Sequence, residues 1–90
     1  MESYRLQIKK SASKELESLG TKKDRQRLVR AINALARDPR PPGCEKLSVE
    51  EDKYRVRQGN YRIVYSVDDR ARLVLVTKIG DRKEVYRSGF

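Results

Sequence analysis

Lys53-Tyr54-Arg55-Val56-Arg57-Gln58-Gly59-Asn60-Tyr61-Arg62-Ile63-Val64-Tyr65 spells out a β-hairpin by its own spacing. Tyr54 and Val56 alternate with Arg55 and Arg57, and beyond the turn Tyr61, Ile63 and Tyr65 alternate with Arg62 and Val64. Period-two alternation of aromatic and β-branched residues is the signature of a half-buried strand. Gly59-Asn60 suits a two-residue primed turn, because glycine tolerates the positive φ such turns require. That turn sets Gln58 opposite Tyr61, Arg57 opposite Arg62 and Val56 opposite Ile63. Arg55, Arg57 and Arg62 then share one face of the hairpin, and Tyr54, Val56, Ile63 and Tyr65 share the other. A one-residue slip would mix the two sets, so the apolar residues enforce the register that gathers the arginines.

Opposed like charges destabilise a sheet, so a fold that tolerates them is expected to have an anionic partner. The rest of the chain agrees. Its 90 residues make one domain, 1–90, with 22 Lys and Arg against 13 Asp and Glu, a net charge of +9. The excess is spread along both halves, which favours nucleic acid, an anionic membrane or an acidic protein as partner. Plain solubility would explain a charged surface as well. One cysteine, Cys44, makes neither an intrachain disulfide nor a zinc site. Histidine is absent, which removes the commonest general acid–base and metal ligand, so no metal or cofactor is expected. With no signal-like or membrane-spanning apolar run, a cytoplasmic location is the expectation.

Outward from the hairpin, Tyr4, Leu6 and Ile8 alternate as a half-buried strand. Ser11 is placed to cap a short helix holding Ala12, Leu16 and Leu19, which Gly20 closes. A second helix is expected from about Asp24 to Arg37, with Leu28, Ile32, Leu35 and Ala36 as its core stripe and Arg25, Arg27, Arg30 and Arg37 on its other face. The run from Asp38 to Gly43 must be loop. Leu47 either begins a short strand or packs beneath the sheet. Asp68-Asp69-Arg70-Ala71 forms the next turn, and Leu73–Ile79 reads as a central strand broken by Gly80-Asp81. The order is β-α-α-β-β-β: an α+β domain in which an antiparallel two-helix hairpin covers one face of a small, mainly antiparallel sheet. The opposite face displays the arginines.

This order, with Tyr54–Tyr65 and the second motif Ile79-Gly80-Asp81-Arg82-Lys83-Glu84-Val85-Tyr86, resembles the RelE/ParE toxin superfamily, in its RelE-like branch, over nearly the whole chain. The resemblance implies a toxin of a type II toxin–antitoxin system: a ribosome-dependent endoribonuclease that cuts mRNA in the A site and inhibits translation. It works without metal, by attack of a 2′-hydroxyl on the adjacent phosphate. The implied partners are the ribosome, mRNA and a cognate antitoxin, expected to bring an acidic, amphipathic segment and to form a hetero-oligomer. By position the resemblance marks Arg55, Arg57, Arg62, Arg82 and Tyr86 as catalytic, with Lys53 and Lys83 as substrate-binding additions.

The chemistry is sensible on these residue types. Cleavage by a 2′-hydroxyl loads negative charge onto a phosphorane-like transition state, which fixed guanidiniums stabilise. Arg62 and Arg82 suit that role, and Arg55 and Arg57 suit gripping the backbone. A movable proton would come from Tyr86 or Lys83 if neighbouring cations lowered its pKa; otherwise positioning on the ribosome supplies the rate. Against each stands a plainer role: solvated strand arginines, an Arg82 surface ion pair with Glu84 or Asp81, a Tyr86 docked on the core. Two other functions fit the same fold, a ParE-like inhibitor of DNA gyrase without nuclease activity and a non-catalytic basic nucleic-acid-binding module.

Overall fold

A computed structural model of the chain describes residues 3–48 and 52–81. Its elements are β1 (Arg5–Ile8), α1 (Lys10–Ser18), α2 (Lys22–Leu35), β2 (Glu45–Ser48), β3 (Lys53–Gln58), β4 (Tyr61–Asp68) and β5 (Leu73–Asp81). They form one five-stranded sheet in the order β1-β5-β4-β3-β2. The three strands β3, β4 and β5 are the expected antiparallel meander, and β1 adds to it in parallel beside β5. The expected β-α-α-β-β-β order gains one element, because Leu47 lies in a short edge strand, β2, antiparallel to β3. No helix among the described residues is long and apolar enough to cross a membrane.

Helix ends follow local chemistry, with corrections to the sequence expectation. Helix α2 begins at Lys22, two residues before the expected Asp24, because Thr21 caps it: its hydroxyl accepts from the Asp24 N–H at 3.1 Å. Asp24 then sits in the first turn, where the helix dipole favours a carboxylate. The helix ends at Leu35, and Ala36 and Arg37 continue as a turn. Ser11 does not cap α1, which begins at Lys10 without a side-chain cap. Nor does α1 hold Leu19: it ends at Ser18 with Leu19 as an extended C-cap, and Gly20 follows at φ +48°, packed so closely against Tyr61 and Asp24 that a Cβ there would collide with the Tyr61 hydroxyl.

One face of the sheet and the two helices enclose the core. Leu28, Ile32 and Leu35 of α2 and Ala12 of α1 meet Tyr54, Val56, Ile63 and Tyr65, all buried as the alternation requires. Ala36 is only partly buried. Strand β5 contributes Val74, Val76 and Ile79, the last three residues beyond its neighbour. Strict alternation would turn Ile79 outward. A bulge opposite Val64 and Tyr65 absorbs one residue and returns Ile79 to the core, opposite Ile63. Gly80-Asp81 therefore does not break the strand: β5 runs on and places Gly80 beside Arg62. Beyond Val76 the outer edge of β5 has lost β1, and α1 covers it; Glu15 accepts from the Ile79 N–H at 3.3 Å and from Lys78 at 2.7 Å.

A polar cluster ties the loops to this core. Arg40 donates to both Asp69 oxygens, at 3.2 and 2.9 Å, to Asp52 at 3.2 Å and to the Tyr54 hydroxyl at 2.8 Å. Tyr4 donates to Asp69 at 2.6 Å, and Tyr65 to the Pro39 carbonyl at 2.7 Å. The Pro-rich connection is thus fastened at Pro39 and Arg40, so strand β2 reaches the sheet edge in a defined position.

Candidate functional site

The hairpin register is the one its apolar residues demand. Val56 lies opposite Ile63, Arg57 opposite Arg62, and Gln58 opposite Tyr61. Gly59 has φ +62° and Asn60 is not in the positive-φ region, the pattern of a II′ turn. Since opposed residues share a face and alternate residues share a face, Lys53, Arg55, Arg57 and Arg62 all lie on the side of the sheet away from the helices. Arg82, Lys83 and Tyr86, the remaining sequence candidates, fall outside the described residues.

The three arginines differ sharply in environment. Arg57 reaches into solvent, its side chain 58% exposed. Arg55 and Arg62 are buried, at 7% and 3% exposure. Arg55 is paired with Glu45, its cross-strand neighbour on β2. Glu45 also reaches Arg57, at 3.3 Å through its other oxygen. Its carboxylate therefore bridges two guanidiniums from the sheet edge while staying 45% exposed. Arg62 is different. Among the described residues its guanidinium donates to the Tyr61 carbonyl at 3.3 Å, its Nε finds no acceptor, and it makes no ion pair with a carboxylate. A buried guanidinium so poorly satisfied is costly, and Arg57 directly across adds repulsion.

Glu45 is the site residue that sequence reasoning missed. Only the position of β2 brings it to Arg55, and β2 carries a register irregularity between Lys46 and Ser48 that no alternation announces. The Arg55 guanidinium, with Arg57 and Arg62 behind it, holds the Glu45 carboxyl below its ordinary value of 4.5. Hydrogen bonds from Tyr54 and Lys46, with Arg40 close by, lower Asp52, and Arg40 and Tyr4 lower Asp69. Each of these carboxylates is worth more to the folded than the unfolded chain when ionised. Their stabilisation is complete above about pH 4.5 and is lost as pH falls through their depressed folded values. Thermal melts from pH 6 to pH 2 should show Tm falling in acid, and Glu45→Gln should flatten part of that fall while lowering Tm at neutral pH. A Glu45→Gln variant with the wild-type profile would show that the bridge contributes nothing.

Beside this face lies an apolar groove of about 490 Å³ between the C-terminal half of α2 and β3. Ala31, Ala34, Leu35, Pro41, Pro42 and Val56 line it, with Glu45 and Arg57 among its polar residues. Arginine face and apolar groove thus adjoin through the same two side chains.

The family model for the ParE toxin of type II toxin–antitoxin systems, parDE, matches residues 6–86. No curated protein matches the chain by sequence. Among solved structures, the chain is similar to a mutant of the E. coli toxin RelE in the free state, with 30% identity, a TM-score of 0.76, and coverage of 94% of this chain and 92% of that one. It is similar to the archaeal RelE–RelB complex from Pyrococcus horikoshii at 30% identity and TM-score 0.75, over 88% of this chain and 94% of that one. The RelBE2 toxin–antitoxin complex from Mycobacterium tuberculosis shares the fold at 23% identity and TM-score 0.76, over 89% of this chain and 99% of that one.

Proposed function

We propose, from the premise that this chain belongs to the ParE toxin family of type II toxin–antitoxin systems, that it acts as a RelE-like ribosome-dependent endoribonuclease in the cytoplasm. One observation carries the reading: Arg62 is buried without a carboxylate partner among the described residues, on the same face as Arg55 and Arg57. A guanidinium kept in that state is poised for an anion supplied from outside, and a phosphodiester is the anion that fits a forked donor.

Glu45 marks where that phosphate would go. Its two oxygens bridge Arg55 and Arg57 much as two phosphate oxygens would. An incoming backbone meets exposed Arg57 first, displaces the half-exposed carboxylate, and reaches Arg62 as its surroundings yield. The 2′-hydroxyl then attacks the adjacent phosphorus, the O5′ bond breaks, and the extra charge on the phosphorane oxygens is stabilised by Arg62. Glu45 is a weak base for this step, because Arg55 depresses its pKa. The proton-transfer group is therefore assigned, on sequence alone, to the segment carrying Arg82, Lys83 and Tyr86. Lys53, on the same face, extends the grip along the strand.

Antitoxin complexes of the structural relatives support a cognate antitoxin as partner, and the apolar groove beside Arg57 suits an acidic amphipathic segment. Expression of this chain alone, followed by primer extension on cellular mRNA, is the test. Cuts within codons, dependent on translation, are expected. The ParE family model favours a second reading, inhibition of DNA gyrase. Intact mRNA with loss of supercoiling activity would establish that one and end the nuclease reading.

A further inference from the structure

Glu45 opens the edge strand β2, and its register opposite Arg55 puts the carboxylate on the arginine face. One oxygen accepts from Arg55 and the other from Arg57. Two guanidiniums of one strand thus share a single acid. The other ion-paired acids are pinned by neutral donors as well: Asp52 and Asp69 by tyrosine hydroxyls, Glu15 by the Ile79 N–H. Among the described residues Glu45 is held by guanidiniums alone.

Such a bridge adds little stability where it is open to water. Arg62, the neighbour most in need of a carboxylate, gains none from it. Glu45 occupies instead the arginine that reaches solvent and the one behind it. It is also free to leave. Its side chain turns about ordinary staggered torsions with solvent beside it, so the arginines can be uncovered without any movement of β2.

We propose that Glu45 is a specificity-determining residue, an internal competitor that occupies Arg55 and Arg57 and admits only ligands with several linked phosphates. This rests on the reading that the arginine face takes a nucleic-acid backbone. A tethered carboxylate competes at an effective concentration of roughly millimolar or more. Every anion that needs the pair must displace it, and its apparent affinity is reduced by the fraction of chains whose pair stands open. The factor is the same for all such ligands, but the consequence differs. A single phosphate makes one set of contacts and is excluded. A strand also meets Lys53 and Arg62 on the same face, and these further contacts hold it in spite of the competitor.

The test titrates wild type and Glu45→Gln with inorganic phosphate and with a short 2′-deoxy oligonucleotide, at one fixed salt concentration. The oligonucleotide lacks the attacking hydroxyl and stays uncut. Both affinities should rise on the order of tenfold, by a common factor, even as Tm at neutral pH falls. A residue with a merely structural role would lose stability without that gain. Asp24→Asn is the control for net charge: it removes an acid on the helix side of the hairpin, beside Tyr61, and should leave both affinities near wild type. Unchanged affinities in folded Glu45→Gln, or an equal gain in Asp24→Asn, would overturn the proposal. Should Glu45→Gln fail to fold, Glu45→Asp keeps the charge with a shorter reach and should show part of the gain; a folded Glu45→Asp with wild-type affinities would overturn it equally. Tighter binding by Glu45→Gln in a protein whose wild type cuts no mRNA would uphold this inference while defeating the nuclease reading. Cleavage of mRNA by a wild type whose affinities Glu45→Gln leaves unchanged would do the reverse.

Discussion

Arg62→Ala is expected to abolish growth arrest and reduce mRNA cleavage by about 100- to 1,000-fold, the usual consequence of deleting a donor aimed at a developing oxyanion. Stability should change little by comparison. Among the described residues the guanidinium holds only the carbonyl of its own neighbour, Tyr61, at 3.3 Å. Its removal also ends the repulsion from Arg57 across the strand pair. Arg62→Lys distinguishes charge from geometry: it keeps the cation, loses the planar fork, and should recover only a small part of the activity. Primer extension in a translating extract reads the cleavage, and circular dichroism melts read the fold. A folded Arg62→Ala protein that cuts at the wild-type rate would remove Arg62 from the mechanism. If alanine leaves too large a void to fold, a fully active Arg62→Lys would do the same.

Three residues along the same strand the expected outcome reverses. Tyr65→Ala should cost about 3–5 kcal/mol, the range for deleting a large buried side chain. Tyr65 is fully buried, stacked on Tyr54 with ring centroids 5.7 Å apart, and its hydroxyl anchors the Pro39 carbonyl at 2.7 Å. Burial pushes its phenol well above the ordinary value, so it enters no proton transfer near neutrality. Tyr65→Phe should cost only about 1–2 kcal/mol, for the lost hydrogen bond and the stranded carbonyl. Its cleavage activity should remain near wild type, because Tyr65 lies on the core face and Arg62 on the other. Chemical denaturation measures the first effect and the cleavage assay the second. A Tyr65→Ala protein as stable as wild type would mean that the core does not depend on this ring.

These two predictions rest on what alternation alone made readable. Valine, isoleucine and tyrosine at every second position of Tyr54–Tyr65 permit one register, because any other turns arginines onto the core face and apolar side chains away from it. The facing of the hairpin, the meander and the helical stripe of Leu28, Ile32 and Leu35 came directly from period and turn chemistry. Ser11 and the start of α2 were misread because several polar residues compete for each cap, and tertiary packing decides among them. Gly80 was misread because a bulge upstream, invisible in composition, lets β5 continue.

What the sequence determined by itself was therefore the order of the elements other than β2, the two faces of the hairpin and the gathering of Arg55, Arg57 and Arg62 on one of them, since all three are consequences of local periodicity. The tertiary structure alone decided which arginine is exposed, which is clasped by Glu45 and which is left without a carboxylate. Those differences depend on an edge strand brought in from a distance by a loop fastened at Pro39 and Arg40. Contacts of that kind are set by packing between segments far apart in the chain, and no local pattern encodes them.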